Sequence, residues 1–325
     1  MTVGENDRDV ILVLGMHRSG TSAFAGTLAC LGLALPARLM AADTANASGY
    51  FESWELASLH NAMLRTAKSR WDDWSPIADD WFAKRAARGF PGRIVEFLDR
   101  EFAGAANFVI KDPRICRVVP VWRDALARFG ANPRVILPLR HPFAVAQSLM
   151  ARDGFLPAES YLLWLRHILD AERATRDLPR VFVSFDDLVG DWRGTVDAIA
   201  ARFGISWPRS MSEAAPNIER FLDPRLRHHL PLQGHAGVAD RTMLLTLEAW
   251  ELFGELARRK AAPDLFPRLD ALRERLDRIP SNYRLPLGIG PFAGRIVHLI
   301  SRLRVKRNVA GAGRSAMLST KAHNR

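Results

Sequence analysis

The chain has 325 residues, 48% hydrophobic and 25% charged, with a formal net charge of +11, enough apolar material for one large core. Its two cysteines, Cys30 and Cys116, are too few for a disulfide framework and fit a reducing compartment. Nine Lys and Arg and no acidic residue fall in 281–325, so the charge excess is a tail property; recognition of nucleic acid, which needs cations spread over a folded face, is not expected.

The polar start "MTVGENDRD" lacks the form of a signal peptide and no apolar run is long enough to span a bilayer, so a cytoplasmic location is expected. A β-rich run, Asp9 to Leu14, comes first. The loop "GMHRSGTS" (Gly15–Ser22) and a helical stretch over Ser22 to Leu33 follow it. Pro36 to Pro91 breaks the pattern, is rich in tryptophan, and reads as a helical insertion over the site. Three further apolar runs are Asn107 to Lys111, Arg134 to Arg140 and Arg180 to Phe185. Helix-period stretches accompany them over Val118 to Phe129, Phe143 to Ala151, Ser160 to Asp177 and Trp192 to Phe203. Continuous apolar strands alternating with helices predict an α/β fold, a doubly wound and mostly parallel sheet with ligands beyond the carboxyl ends of its strands. Two more helices, Thr242 to Lys260 and Leu265 to Arg278, close a domain of residues 1–280. The tail, 281–325, contains a basic amphipathic stretch (Gly290 to Arg307) suited to peripheral contact with an anionic bilayer.

The first loop has the glycines of a phosphate cradle at Gly15 and Gly20, but Thr21 stands where a Walker A loop has lysine. Glycines let the backbone wrap an anion, and a helix N-terminus favours its charge. Arg18 adds a cation; Ser19, Thr21 and Ser22 add hydroxyl donors. Without the lysine a triphosphate bound with Mg²⁺ fits poorly, and no metal is expected. A second loop, "LRHPFAVAQSL", places Arg140 at a strand tip and Ser148 eight residues later on the next helix, able to clamp a phosphate from two sides.

Together, "RSGTS" at Arg18 to Ser22 and the Arg140/Ser148 pair resemble the sulfotransferases that use 3′-phosphoadenosine-5′-phosphosulfate (PAPS), whose fold is P-loop-like. "GYFE" (Gly49–Glu52), "KDPR" (Lys111–Arg114), "FDDLVGDW" (Phe185–Trp192) and "FLDPRLRHH" (Phe221–His229) extend the resemblance, to bacterial members in particular, over roughly Val10 to His229. The resemblance implies that Arg18 stabilises charge on the bridging oxygen, that Ser19, Gly20, Thr21 and Ser22 hold the 5′-phosphate, and that Arg140 and Ser148 hold the 3′-phosphate. It implies an acceptor hydroxyl or amine, with a carbohydrate or glycolipid as the expected partner, and a general base: Glu52 first, Asp112 second, His60 third. Lys111 and Arg114 are expected to contact sulfonate or an anionic acceptor, or to close a salt bridge with Asp112. Two departures stand out. The basic Arg-Lys-Gly loop of the cytosolic enzymes is missing, with Arg225 and Arg227 as the nearest substitutes, and Ala23 and Phe24 stand where a tryptophan often touches adenine. A divergent P-loop kinase and a non-catalytic nucleotide-binding adaptor are the competing readings. Trp71, Trp74 and Trp81 could stack on sugar rings, although burial is the commoner fate of tryptophan.

Overall fold

Four apolar runs form the strands β1 (Arg8–Val13), β2 (Asn107–Lys111), β3 (Ala131–Leu139) and β4 (Arg180–Ser184), all parallel, in the order β2-β1-β3-β4. The computed structural model describes residues 8–42, 49–222, 241–259 and 262–280. Val10 pairs with Phe108 on one side and Pro133 on the other, so β1 lies inside the sheet, where its near-continuous run of apolar side chains is covered on both faces. β3 carries Pro133 near its start and Pro138 further in, and a proline inside a central strand ordinarily removes a ladder hydrogen bond. Here the loss is harmless. Ile136 accepts from Leu14 while Val135 donates toward β4, so Pro138 turns its missing N–H toward β1, past the point where β1 has ended.

Helices cover both faces. One face carries α1 (Thr21–Cys30), α8 (Phe185–Gly190), α9 (Trp192–Phe203) and α10 (Met211–Phe221). The other carries α2 (Trp54–Thr66), the single turn α3 (Arg85–Arg88), α4 (Phe90–Phe102), α5 (Val119–Phe129), α6 (Pro142–Asp153), α7 (Pro157–Ala174), α11 (Arg241–Arg258) and α12 (Phe266–Asp277). Trp122 and Trp164 are fully buried on this larger side, each burial worth about 1.5–3 kcal/mol or more for a side chain of this size. Because α1 follows β1 on one face and α6 follows β3 on the other, the crevice between the carboxyl ends of β1 and β3 is a topological switch point.

Two elements depart from the expected alternation. α4 begins at the end of the expected insertion and runs beyond it, a stretch given no element above; Pro91 lies in its first turn, where no backbone partner is lost, and Phe90, Ile94, Phe97, Leu98 and Phe102 bury one stripe. α10 likewise continues through an internal proline, Pro216. Within the insertion, Trp74 and Trp81 are buried in the core rather than laid open for sugars. Arg117 holds the carbonyls of Asp73 and Ser75 at 2.5 and 2.6 Å, and Arg166 holds that of Trp74 at 2.6 Å, so this segment is tied into the body by buried guanidiniums. Among the described residues no helix is long and apolar enough to cross a membrane. Arg225, Arg227 and the basic tail lie outside the described residues.

Candidate active site

The chain leaving β1 turns through Leu14–Gly20 and enters α1. Ser19 N–H donates to the Met16 carbonyl at 3.1 Å to close the turn, and two residues take left-handed backbone, Arg18 (φ 71°) and Gly20 (φ 86°). Gly20 has two reasons to be glycine: that φ, and the ring of Phe185, whose Cδ2 would lie 2.4 Å from an added Cβ. For Arg18 the same backbone costs about 1–2 kcal/mol, strain of the kind held at functional loops. The N-terminus of α1 has no side-chain cap and no acidic residue in its first turn, which leaves the positive end of the helix dipole facing the crevice.

The two basic loops meet directly. Arg18 Nε donates to Ser148 Oγ at 2.6 Å, and Arg140 Nη1 donates to the Arg18 carbonyl at 2.9 Å while its guanidinium lies 4.9 Å from the centre of the Phe185 ring. Burial, and then the charge of Arg18, push the Arg140 guanidinium below its usual value, with Asp186 opposing. Two guanidiniums held this close favour an anion between them. Behind them Ser19 and Thr21 are buried, and Ser19 Oγ has no hydrogen-bond partner.

A third wall comes from the end of β2 and the segment before α2. Lys111 Nζ donates to Glu52 Oε1 at 2.5 Å, to the Tyr50 carbonyl at 2.9 Å and to Ser22 Oγ at 3.3 Å, with both charged groups buried. Arg114 Nη1 reaches Glu52 Oε2 at 3.4 Å and Asp112 at 3.0 and 3.1 Å. Asp112, fully buried, also caps the 3-10 turn Pro113–Arg117 and faces His60 Nδ1 at 2.9 Å. Trp122 Nε1 donates to His60 Nε2 at 2.9 Å, which fixes the tautomer: Nδ1 carries the proton and donates to Asp112. Burial would raise the Asp112 carboxyl; His60 and Arg114 outweigh it and hold the group well below the usual carboxylate range.

The cleft between these walls has a volume of about 130 Å³. Arg18, Gly20, Thr21, Ser22, Glu52, Lys111 and Arg140 line it. Ser148 joins through Arg18, and Ser19 stands behind the loop. Asp112 and His60 are fully enclosed and act on the cleft through Arg114, so neither presents a free oxygen or nitrogen to a ligand. His17, Tyr50, Arg152, Phe185 and Phe221 also line the cleft without having been singled out from the sequence. For Phe185 the signal was its place just after β4, at the carboxyl end of a parallel strand, and for His17 its place inside the glycine loop.

The chain belongs to the sulfotransferase family: the model described as "Sulfotransferase family" matches residues 10–209. Sulfuryl transfer is therefore the chemistry of this α/β protein at the level of its family. Solved structures similar to it include the sulfotransferase domain of an olefin synthase from Synechococcus PCC 7002, at 14% identity, covering 76% of this chain and 96% of that one with a TM-score of 0.44. A sulfotransferase domain from the curacin biosynthetic pathway is similar at 12% identity, covering 75% and 98% with a TM-score of 0.46. A sulfotransferase from Mycobacterium avium is similar at 16% identity, covering 81% and 76% with a TM-score of 0.39. No curated protein matches the chain significantly.

Proposed function

We propose that the protein transfers the sulfuryl group of PAPS in line to a hydroxyl, or an amine, of a carbohydrate or glycolipid acceptor. One observation carries this reading: the hydrogen bond from Arg18 to Ser148, which makes the glycine loop and the Arg140 loop one anion-binding unit. The donor set suits a nucleotide with two separate anionic ends. Arg18, the hydroxyls of Thr21 and Ser22, and the open N-terminus of α1 serve one end, with Ser19 behind the loop; Arg140 and Ser148 serve the other. Phe185 and Phe221 supply apolar ring surface beside them for a purine.

In the transfer Arg18 stabilises charge that builds on the bridging oxygen as the sulfonate leaves, which requires a donor preorganised where the charge develops. Lys111 is the second cation. Glu52 enters this reading as the carboxylate that positions Lys111, since both its oxygens already accept from cations. Asp112 is one bond further back and orients Arg114. Trp54, two residues after Glu52 in sequence, is 65% exposed and is a flat surface of the kind a sugar ring stacks on.

Calorimetric titration with adenosine 3′,5′-bisphosphate, beside ADP and ATP with Mg²⁺, tests the donor. Bisphosphate binding without Mg²⁺ that is at least tenfold tighter than ADP is the expected result. Preference for ATP with Mg²⁺ would replace this reading with a divergent kinase loop, and bisphosphate binding without any sulfuryl transfer would favour an adaptor.

A further inference from the structure

The residue immediately before Arg18 has no role in the assignments above. His17 lines the same cleft, nine-tenths buried, with its ring edge-on to Trp71 at 4.9 Å between centroids; Trp71 in turn meets Phe155 at 5.8 Å. Its Nε2 is buried and has no hydrogen-bond partner. A buried ring nitrogen left unpaired carries a free-energy penalty, which a bound polar group removes. Among the described residues, the other candidate bases named above are already engaged: Glu52 by Lys111 and Arg114, Asp112 by His60 and Arg114, and His60 Nε2 by Trp122.

Building on the sulfotransferase reading, we infer that His17 is the catalytic base, taking the proton of the acceptor hydroxyl at Nε2 while the adjacent Arg18 serves the leaving phosphate. The step balances. A lone pair of the acceptor oxygen forms the new O–S bond, the O–H electron pair stays on that oxygen, and the proton passes to the imidazole. The S–O bond to the donor's 5′-phosphate breaks, and its electron pair leaves on the phosphate oxygen. The imidazolium then gives its proton to water when the products go.

The surroundings keep the ring ready for this. Burial first, then the charges of Arg152 on α6, of Arg114 beyond β2 and of Lys111 at its end, hold the His17 pKa well below the ordinary histidine value, with Asp112 opposing. The imidazole is therefore neutral at pH 7, and the same cations expel the proton it gains.

The test uses the full chain and radiolabelled PAPS, following transfer of sulfate to a panel of simple sugars, glycerol and phenol, and to water, from pH 5 to 9. Adenosine 3′,5′-bisphosphate affinity is measured on the same samples. His17→Gln is expected to bind the bisphosphate within about threefold of the unaltered protein yet lose about 10²–10⁴-fold in kcat, the usual worth of a general base. Imidazole should restore rate to His17→Ala. Retention of kcat within about threefold in His17→Gln, or no restoration of rate by imidazole in a His17→Ala variant that still binds the bisphosphate, would overturn the inference. Should His17→Gln fail to fold, ring NMR of the unaltered protein in its bisphosphate complex gives the answer, and a His17 ring protonated at pH 7 would overturn it. Absence of bisphosphate binding and of turnover in the unaltered protein would instead remove the sulfotransferase reading, and the inference with it.

Discussion

Arg18 Nε and Ser148 Oγ, 130 residues apart in sequence, lie 2.6 Å from each other across the carboxyl ends of β1 and β3. Each side chain thereby fixes the other before any ligand arrives, which lowers the ordering cost of binding. Arg140 completes the arrangement by holding the Arg18 carbonyl. Arg140→Ala should weaken adenosine 3′,5′-bisphosphate binding about ten- to a hundredfold, the worth of a charge-assisted bond of about 1.5–3 kcal/mol to a partly buried phosphate. Arg18→Ala should keep part of that affinity and lose transfer. Calorimetry paired with a transfer assay separates the two; equal bisphosphate affinity in Arg140→Ala would remove Arg140 from the 3′-phosphate site.

The Lys111–Glu52 ion pair is enclosed, with side-chain exposures of 3% and 2%. Removing one partner of a buried pair strands the other charge and typically costs about 3–5 kcal/mol. Glu52→Gln should therefore lower the melting temperature strongly. Adding Lys111→Met to it should recover much of the loss, because the stranded ammonium is then gone, whereas additive losses in the double variant would mean that the pair is not coupled. Differential scanning calorimetry of the three variants measures this directly.

Much of the architecture was legible because the strands announce themselves. The runs at 9–14, 107–111, 134–140 and 180–185 are apolar on both faces, as a covered parallel sheet demands, and each recurs within a few residues as an observed strand. The loop Gly15–Ser22 was legible for the same reason, since its glycines come directly between a strand and a helix. What the sequence hid depends on long-range contact. Burial was the expected fate of Trp74 and Trp81 and both are buried, but nothing local marks how Arg117 and Arg166 reach across from other elements to hold the backbone at Asp73 and Trp74. Asp112 looks like an accessible acid in "KDPR", but a histidine, an arginine and a capping turn use up its oxygens. His17 carried only its place inside the glycine loop as a signal, because a histidine between a methionine and an arginine has no period or spacing of its own.

Asp112 makes stability depend on pH in a definite direction. Its folded-state pKa is depressed below the ordinary 3.8, so the unfolded chain binds the proton more readily than the folded one. The stabilisation is present above about pH 4 and is lost as pH falls below it. Asp112→Asn removes the charge that faces Arg114 and His60, so it should be markedly less stable than the unaltered protein at pH 7. The difference should narrow steadily between about pH 4 and pH 2. Denaturant midpoints across that range check the sign, and a difference that widens toward acid would show that another carboxylate governs the acid limb.

Gly20 joins the loop's conformation to the opposite wall. Its φ of 86° is left-handed, and an added Cβ would sit 2.4 Å from Phe185 Cδ2, so a side chain there meets both backbone strain and a ring. The strain alone is about 1–2 kcal/mol. The ring also cannot swing away freely, because Phe185 is buried and stacks under the Arg140 guanidinium. Gly20→Ala should accordingly lose bisphosphate binding and at least about 2 kcal/mol of stability. Adding Phe185→Ala removes the clash but leaves the φ penalty and the lost guanidinium contact, so the double variant should regain part of the stability while binding stays weak. Recovery of full affinity in the double variant would mean that the collision with Phe185 is the whole reason for glycine at this position, and that the left-handed turn has no part in shaping the anion site.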